Sequence, residues 1–318
     1  MSIIKNKIGA LIMVLISSIG FAQQLPQFSQ YMYNTISINP AYAGSRETLS
    51  IVGLHRSQWT DIQGGPTTQT ISVHSPLGND KIGLGLSIIN DSPGFENFLY
   101  AYADFSYSID VGRDTRLAFG LKGGFTHYNL DEVFLMDPDV LNDPFFGNYT
   151  DKWNPNIGAG VYLHSNMWYL GLSAPRIINN DYNLDNESTT TINFIATERI
   201  SYYFTGGYVF DLAKAIKLKP SFLVKATNGA PISIDFNANV FLYDRFEIGA
   251  SYRYNDNTGA LAAMAGFEVV DGLMIGYAYD HYISDVRPYF GGTHEVMLRF
   301  ELNQEKPGRV RVKSPRYF

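Results

Sequence analysis

Six histidines are the side chains best suited to acid–base or metal chemistry in this sequence. They are His55, His74, His127, His164, His281 and His294. Neither an HExxH pair nor a GxSxG sequence is present, so the spacings typical of a zinc site or a serine nucleophile are missing. His294 and Glu295 are adjacent, but neighbouring side chains on a strand point to opposite faces. The sequence therefore predicts no catalytic residue and no enzyme.

An acidic loop, MDPDVLNDP, carries Asp137, Asp139 and Asp143. Carboxylate oxygens are ligands that calcium accepts. The spacing lacks the glycine turn and the distal glutamate of a recognised calcium loop, and solvated surface carboxylates are far commoner. We therefore predict no metal site and no cofactor.

Cysteine usage and net charge exclude several classes. No cysteine is present, which excludes a disulfide framework, a cysteine-ligated metal and a lipid-modified cysteine anchor. The net charge of −6 gives no sign of nucleic-acid binding.

The first residues read as a secretion signal, predicted to span residues 1–22. Lys5 and Lys7 precede the apolar run Ile8–Ile16, which is too short to span a bilayer. Gly20–Ala22 supplies a small-x-small cleavage pattern. An uncleaved anchor helix is the alternative.

The elements that position the remaining polar residues are strands, because apolar residues recur with period two. In Phe246–Tyr254 the aromatic and aliphatic side chains share one face, while Glu247, Ser251 and Arg253 share the other. A soluble sandwich gives the same alternation. The composition of 22 Tyr, 21 Phe and 29 Gly is instead typical of a barrel with aromatic girdles.

Strand length and connection length favour a membrane barrel. Leu99–Asp110 and Thr115–Tyr128 match the length of strands that cross a bilayer, and Tyr277 and Tyr279 suit an interfacial girdle. Fourteen strands are predicted, starting near residues 47, 66, 81, 98, 115, 155, 167, 198, 215, 231, 245, 258, 272 and 292. We expect an all-β, transmembrane antiparallel barrel over residues 47–302, in contact with outer-membrane lipid.

Connections alternate between short and long. SPLGND, DVGRD, HSN, DLAKA, YDR and VDG are tight, whereas Leu130–Asn154, Pro175–Thr197 and Tyr282–Gly291 are long. Outer-membrane barrels place tight turns in the periplasm and long loops outside. Residues 23–46 then form an N-terminal periplasmic or plug segment, and residues 303–318 a periplasmic tail.

Charged residues alternate onto the predicted inner face. They are Lys122, Asp235, Glu247, Arg253, Glu295 and Arg299. They line either a water-filled pore or a salt-bridged interior that holds a plug. Fourteen strands leave a lumen too wide for wall side chains alone, so we expect the N-terminal segment or folded-in loops to fill part of it.

Five sequence blocks carry a family resemblance in order along the chain. They lie at Phe28–Ser45 (FSQYMYN then NPAYAG), Gly64–Pro76 (GGPTTQTISVHSP), Ile275–Asp280 (IGYAYD), Thr293–Phe300 (THEVMLRF) and Lys313–Phe318 (KSPRYF). Together they resemble the PorP/SprF family of Bacteroidota outer-membrane proteins.

The resemblance implies an outer-membrane component of the type IX secretion and gliding machinery. It implies two kinds of partner: a secreted surface adhesin with a type IX C-terminal signal domain, and periplasmic ring or linker proteins. The alternatives are a general porin or transporter with a water-filled lumen and, more distantly, a soluble secreted adhesin.

The first block supplies the first set of candidate site residues. They are Phe28, Gln30, Tyr31, Asn39, Pro40, Tyr42 and Gly44. Pro40 favours a turn, and Gly44 accepts the positive φ needed to redirect the chain into the first strand. The segment either tucks into the barrel and fills its periplasmic mouth, or presents a face to a partner, or does both.

The tail supplies the second set. Its basic and aromatic residues are Arg309, Arg311, Lys313, Arg316, Tyr317 and Phe318. We expect the tail to dock on an acidic periplasmic partner; a solvated tail is the alternative.

Overall fold

The dominant feature of the structure is a closed antiparallel β-barrel of fourteen strands. A computed structural model describes residues 27–62, 64–78, 80–131, 136, 152–181, 197–255, 259–283 and 291–302. Neighbouring strands in the chain pair with each other around the wall, and β1 pairs with both β2 and β17, which closes it. The predicted fold class is confirmed.

The elements follow one another in simple order. Three short 3-10 turns come first, at Tyr31–Tyr33, Thr35–Ser37 and Pro40–Tyr42. The strands are β1 Ser50–Ser57, β2 Thr67–Leu77, β3 Ile82–Ser92, β4 Glu96–Asp110, β5 Thr115–Leu130, β6 Lys152–Ser165, β7 Trp168–Ala174, β8 Asn180–Asp181, β9 Thr197–Glu198, β10 Ser201–Tyr208, β11 Phe210–Ala213, β12 Ile216–Thr227, β13 Ser233–Leu242, β14 Phe246–Tyr254, β15 Ala260–Val270, β16 Leu273–Tyr282 and β17 Thr293–Glu301. β8 and β9 pair only with each other, outside the barrel sheet. Across the described ranges, helices long and apolar enough to cross a membrane are absent.

β10 and β11 act as one barrel strand. Gly207 pairs with Ser221 and Phe210 pairs with Leu218, so both pieces share one register with β12. The interruption lies next to Pro220 of the neighbouring strand β12, and proline has no N–H to donate to the ladder of backbone hydrogen bonds. The wall therefore has fourteen strands although the chain shows more separate pieces.

The strands alternate between an apolar outer face and an inner face that holds charge. On β17, Val296, Leu298 and Phe300 are exposed to the outside, while Glu295 and Met297 are buried in the lumen. Unpaired backbone groups cost several kcal/mol each in hydrocarbon, so closure of the sheet is what permits such a wall in a bilayer.

The two ends of the barrel differ in their connections. At one end, here called the turn end, Gly78–Lys81 and Val111–Asp114 join neighbouring strands tightly. The opposite end is called the loop end. Most residues of its long connections lie outside the described part of the chain, and these include Asp137, Asp139 and Asp143. By the rule for outer-membrane barrels, we expect the turn end to face the periplasm. The predicted signal, residues 1–22, and the predicted periplasmic tail, residues 303–318, also lie outside the described part.

The apolar core of the molecule sits inside the lumen. Residues 27–47, here called the luminal segment, precede β1 and enter the barrel. Tyr31 and Met32 pack against Met264, Met274 and Met297 of the wall. The segment therefore supplies the side chains that wall residues alone do not.

Candidate functional site

The luminal segment runs along the barrel axis from the loop end to the turn end. Near its start, the Gln27 side-chain amide donates to Asp235 Oδ2 at 2.9 Å, close to the loop-end start of β13. Near its end, the Gly44 backbone N–H donates to His74 Nδ1 at 3.1 Å, near the turn-end finish of β2. The segment thus spans the lumen and is not confined to the periplasmic mouth.

Wall carboxylates hold the first residues of the segment. Glu295 accepts the backbone N–H groups of Ser29 at 3.0 Å and of Gln30 at 2.8 Å. The Ser29 hydroxyl lies 2.7 Å from the carboxylate oxygens of Asp280 and 3.3 Å from Arg253 Nη2. Charged partners make these hydrogen bonds stronger than bonds between neutral groups.

These carboxylates belong to a buried ion-pair cluster, defined as Arg56, Asp235, Arg253, Asp280 and Glu295. Arg56 lies 2.9 Å from Asp280 and 3.0 Å from Glu295. Arg253 lies 3.0 Å from Asp235 and 3.7 Å from Asp280. Buried charges are tolerated only when paired and hydrogen-bonded, and the two arginines provide that pairing for three carboxylates.

Amide and hydroxyl side chains hold the middle of the segment. Asn34 donates to Thr70 Oγ1 at 3.3 Å and accepts from the Ser72 hydroxyl at 2.7 Å. The Tyr31 hydroxyl accepts from Asn237 Nδ2 at 3.0 Å.

The NPAY sequence forms a capped 3-10 turn near the turn end. The Asn39 side chain accepts from the Ala41 backbone N–H at 3.0 Å, which is the N-cap bond, and Pro40 occupies the first position of the turn. Asn39 Nδ2 donates to the backbone oxygen of Val161 in β6 at 3.0 Å. One asparagine therefore closes the turn and fixes it to the wall.

Glycines on the inner wall make room for this turn. The glycines are Gly83, Gly120 and Gly160. A Cβ atom added at each of them would collide with the luminal segment, at Ala43, Ala41 and Asn39, respectively. We call these three residues the glycine cradle. Without wall side chains here, the backbone of the segment lies directly against the barrel.

Gly44 is needed for both its conformation and its size. Its φ is +74°, a region that favours glycine, and an added Cβ would lie 2.8 Å from the Cα of Gly83. Beside it, the Tyr42 ring meets His74 edge-on, with ring centroids 5.2 Å apart. The chain can therefore turn towards β1 while still touching the wall.

All six charged residues predicted for the inner face lie there. Lys122 bonds to Asp104 at 2.7 Å and donates to the backbone oxygen of Ile36 at 3.2 Å. The Arg299 guanidinium lies over the Tyr33 ring, 5.2 Å from its centroid. In the described part of the chain, the charged residues of the inner wall thus form salt bridges and bind the luminal segment.

The chain after β7 covers part of the loop end from inside. Its Pro175 backbone lies against Gly158, on the inner face of β6. Arg176 stacks over the Tyr100 ring at 4.4 Å and pairs with Glu198 at 3.0 Å. A folded-in connection therefore adds to the filling of the lumen.

The structure brings the first predicted set of site residues together. Phe28, Gln30, Tyr31, Asn39, Pro40, Tyr42 and Gly44 are all buried inside the barrel. Their contacts are with the wall, and partner binding by them stays a prediction. The second predicted set, Arg309 to Phe318, lies outside the described residues.

Sequence reasoning missed Arg56 and the glycine cradle. Arg56 shares its face of β1 with the apolar residues Val52 and Leu54. In this strand the inner face is therefore not marked by a run of charged residues, and alternation does not show that Arg56 points inward. At the cradle positions the sequence shows only a glycine on the inner face, and nothing in it indicates that the luminal segment lies against that glycine. The partners across the lumen were needed to assign both.

The described histidines do not converge. His74 lies in the lumen, His127 stacks on Trp153 with centroids 4.4 Å apart, and His294 Nδ1 lies 2.6 Å from the Tyr277 hydroxyl. No group of three or more His, Asp or Glu side chains in the described ranges is arranged to hold a metal ion.

Comparison with known proteins gave a family match and several similar folds. Residues 20–300 match the family described as type IX secretion system membrane protein PorP/SprF. No curated protein matched the chain.

Among solved structures, the toluene transporter TbuX of Ralstonia pickettii is 10% identical, with 83% of this chain and 92% of that chain covered and a TM-score of 0.51. The monoaromatic hydrocarbon channel CymD is 9% identical, with 86% and 94% covered and a TM-score of 0.50. The outer membrane protein Omp33 of Acinetobacter baumannii is 7% identical, with 80% and 98% covered and a TM-score of 0.47. At such identities the likeness concerns the fold alone.

Proposed function

Because the chain belongs to the PorP/SprF family of type IX secretion system membrane proteins, we propose that it serves that machinery as a closed, non-enzymatic adapter. It is an integral β-barrel of the outer membrane. In this proposal the barrel holds partners at its two ends and conducts no solutes.

The observation that carries the adapter function is the filled lumen. The luminal segment contacts β13 near the loop end and β2 near the turn end, and its aromatic residues are buried among wall side chains. An open porin needs a continuous aqueous path past its wall. The segment and the connection after β7 both occupy that space, which favours an adapter over the porin or transporter alternative.

The two ends suit different partners. The loop end would secure a secreted adhesin carrying a type IX C-terminal signal domain, during its export or its attachment at the surface. The turn end would face periplasmic ring or linker proteins of the secretion and gliding machinery. The basic tail, with Arg309, Arg311, Lys313 and Arg316, is the segment we propose for that contact, anchored by Tyr317 and Phe318.

Planar-bilayer recording of the purified native protein tests the closed lumen. We expect only small, brief currents, because the luminal segment blocks the path. A large, steady current from the native chain would overturn the adapter function and favour the transport alternative.

Secretion is tested in cells that lack the gene. We expect at least one large surface protein to disappear from the cell surface, and the native gene to restore it. A chain ending at residue 302 should fold but recover fewer periplasmic partners from detergent. An unchanged set of surface proteins would remove the secretion role, and unchanged recovery with the shortened chain would remove the tail from it.

A further inference from the structure

We propose that the loop-end half of the lumen is a binding site for a short, uncharged or cationic peptide. At present residues 27–30 of the chain itself fill it. These residues can leave the site while the turn-end part of the luminal segment, residues 36–44, stays seated. This inference does not rest on the secretion role, since it concerns only how the barrel holds its own segment.

The site is built before its occupant arrives. The ion-pair cluster joins β1, β13, β14, β16 and β17 through wall side chains alone. Each carboxylate of the cluster is paired with an arginine of another strand, and these ion pairs fix the side chains without any contact to the segment. A site held in place by its own contacts loses little free energy to ordering when a peptide binds.

Departure of residues 27–30 leaves each of the three carboxylates of the ion-pair cluster paired with an arginine. Glu295 keeps Arg56 at 3.0 Å and Asp280 keeps Arg56 at 2.9 Å. Asp235 keeps Arg253 at 3.0 Å. Water or another peptide can then replace the lost donors, so displacement avoids the large cost of an uncompensated buried charge.

The turn-end part is held by a different kind of contact. It lies against the glycine cradle, and its polar contacts there join a side chain to a backbone oxygen. The Ser106 hydroxyl of the wall donates to the Ala43 oxygen at 2.6 Å, and Asn39 Nδ2 donates to the Val161 oxygen of the wall at 3.0 Å. Its removal would leave a void lined by glycines. Close packing of this kind has no ready substitute, so this part should stay in place.

The chemistry of the site defines the ligand. Glu295 accepts the backbone N–H groups of two successive residues. Asp280 accepts the hydroxyl of Ser29, the first of these two residues. Asp235 accepts an N–H group of the Gln27 side-chain amide. The cluster holds three carboxylates against two guanidinium groups, a balance of −1 when all are ionised. It therefore selects a peptide rich in N–H and O–H donors and rejects an acidic one.

Two cysteine reporters test the inference in the full-length purified chain, which contains no cysteine of its own. Ser233→Cys reports on the loop-end site, because Ser233 is buried beneath Gln27. Ser106→Cys reports on the turn-end part, because Ser106 is buried against Ala43. The rate of maleimide labelling is measured at each.

The displacing change is Ser29→Asp, which sets a third carboxylate against Asp280 and Glu295. We expect labelling at position 233 to rise at least tenfold, while labelling at position 106 and the bilayer current stay at native values. A capped synthetic peptide of residues 27–30, QFSQ, should slow labelling at position 233 again. The same peptide with Asp in place of Ser should not.

Each other outcome overturns part of the proposal. Unchanged labelling at position 233 removes displacement, and a joint rise at both positions removes the independence of the two parts. Equal protection by both peptides, or by neither, removes the peptide site. If the Ser29→Asp chain does not show the heat-modifiable band shift of a folded barrel, the milder double change Gln27→Ala with Ser29→Ala is judged by the same criteria.

Discussion

Arg56 on β1 and Asp280 on β16 form a buried ion pair, 2.9 Å from guanidinium nitrogen to carboxylate oxygen, across the intervening strand β17. Glu295 of that intervening strand bonds to the same arginine at 3.0 Å. One side chain therefore ties three neighbouring strands together at the seam where the first and last strands close the barrel. The same carboxylates hold the start of the luminal segment, so barrel closure and segment seating share a contact.

Loss of this arginine should weaken the closed barrel. Arg56→Met removes the cation shared by Asp280 and Glu295 and leaves buried carboxylates short of partners, which costs about 3–5 kcal/mol. We expect a lower midpoint temperature for the heat-modifiable band shift in electrophoresis. Arg113→Met, in the exposed β4–β5 turn, is the control and should behave like the native chain. Equal midpoints for the two variants would contradict the role of Arg56.

The glycine cradle can be tested with two glycines of one strand. Gly120→Ala adds a methyl group against the backbone of Ala41, whereas Gly123→Ala adds one where no atom lies within 4 Å. Overpacking of this kind costs about 1–3 kcal/mol. We expect Gly120→Ala alone to lower the band-shift midpoint and to raise the bilayer current. Matching behaviour of the two variants would show that the segment does not rest on Gly120.

The outer face should report the depth of the bilayer. Leu121 lies on the outer face of β5 in the middle of its apolar run, while Leu212 lies on β11 at the turn end; both are well exposed. Arginine costs about 2–4 kcal/mol at the bilayer midplane and about 0–1 near an interface. Leu121→Arg should therefore lower folding yield into lipid vesicles much more than Leu212→Arg. The opposite order would show that the assumed membrane plane is wrong.

Strand positions were predictable because the bilayer imposes a simple rule. Each predicted strand start lies within three residues of the observed one, from Ser50 of β1 to Thr293 of β17. A lipid-facing residue must be apolar and the next one need not be, so period two survives in almost every strand. The break between β10 and β11 shows the limit, because the proline beside it, Pro220, lies in the neighbouring strand β12 and not in the strand that is interrupted.

The inside of the barrel was less predictable. Alternation placed Glu295 and Arg253 in the lumen, but their partners lie on other strands and in the luminal segment, more than 200 residues away for Ser29. Contacts across a lumen depend on the shear of the closed sheet and on the path of the segment. Neither leaves a periodic trace, so Arg56 and Gly120 became recognisable only from their neighbours in space.

The direction of the luminal segment gives the last prediction. Gln27 lies near the loop-end start of β13, and the chain reaches β1 only at the turn end. The segment thus begins towards the cell surface and ends towards the periplasm. Single cysteines at Gln27, at Ile62 near the loop end and at Val111 near the turn end can be compared in intact cells, with a maleimide too large to cross porins.

Ile62→Cys should label at once, since the side chain is exposed at the loop end, and Val111→Cys only after the outer membrane is permeabilised. Gln27→Cys is partly covered by the wall, so it should label slowly from outside, and faster when Ser29→Asp loosens its neighbours. Labelling of position 27 only after permeabilisation would place the start of the segment at the periplasmic mouth. That result would remove both the orientation and the loop-end peptide site, while the glycine cradle at the other end would remain.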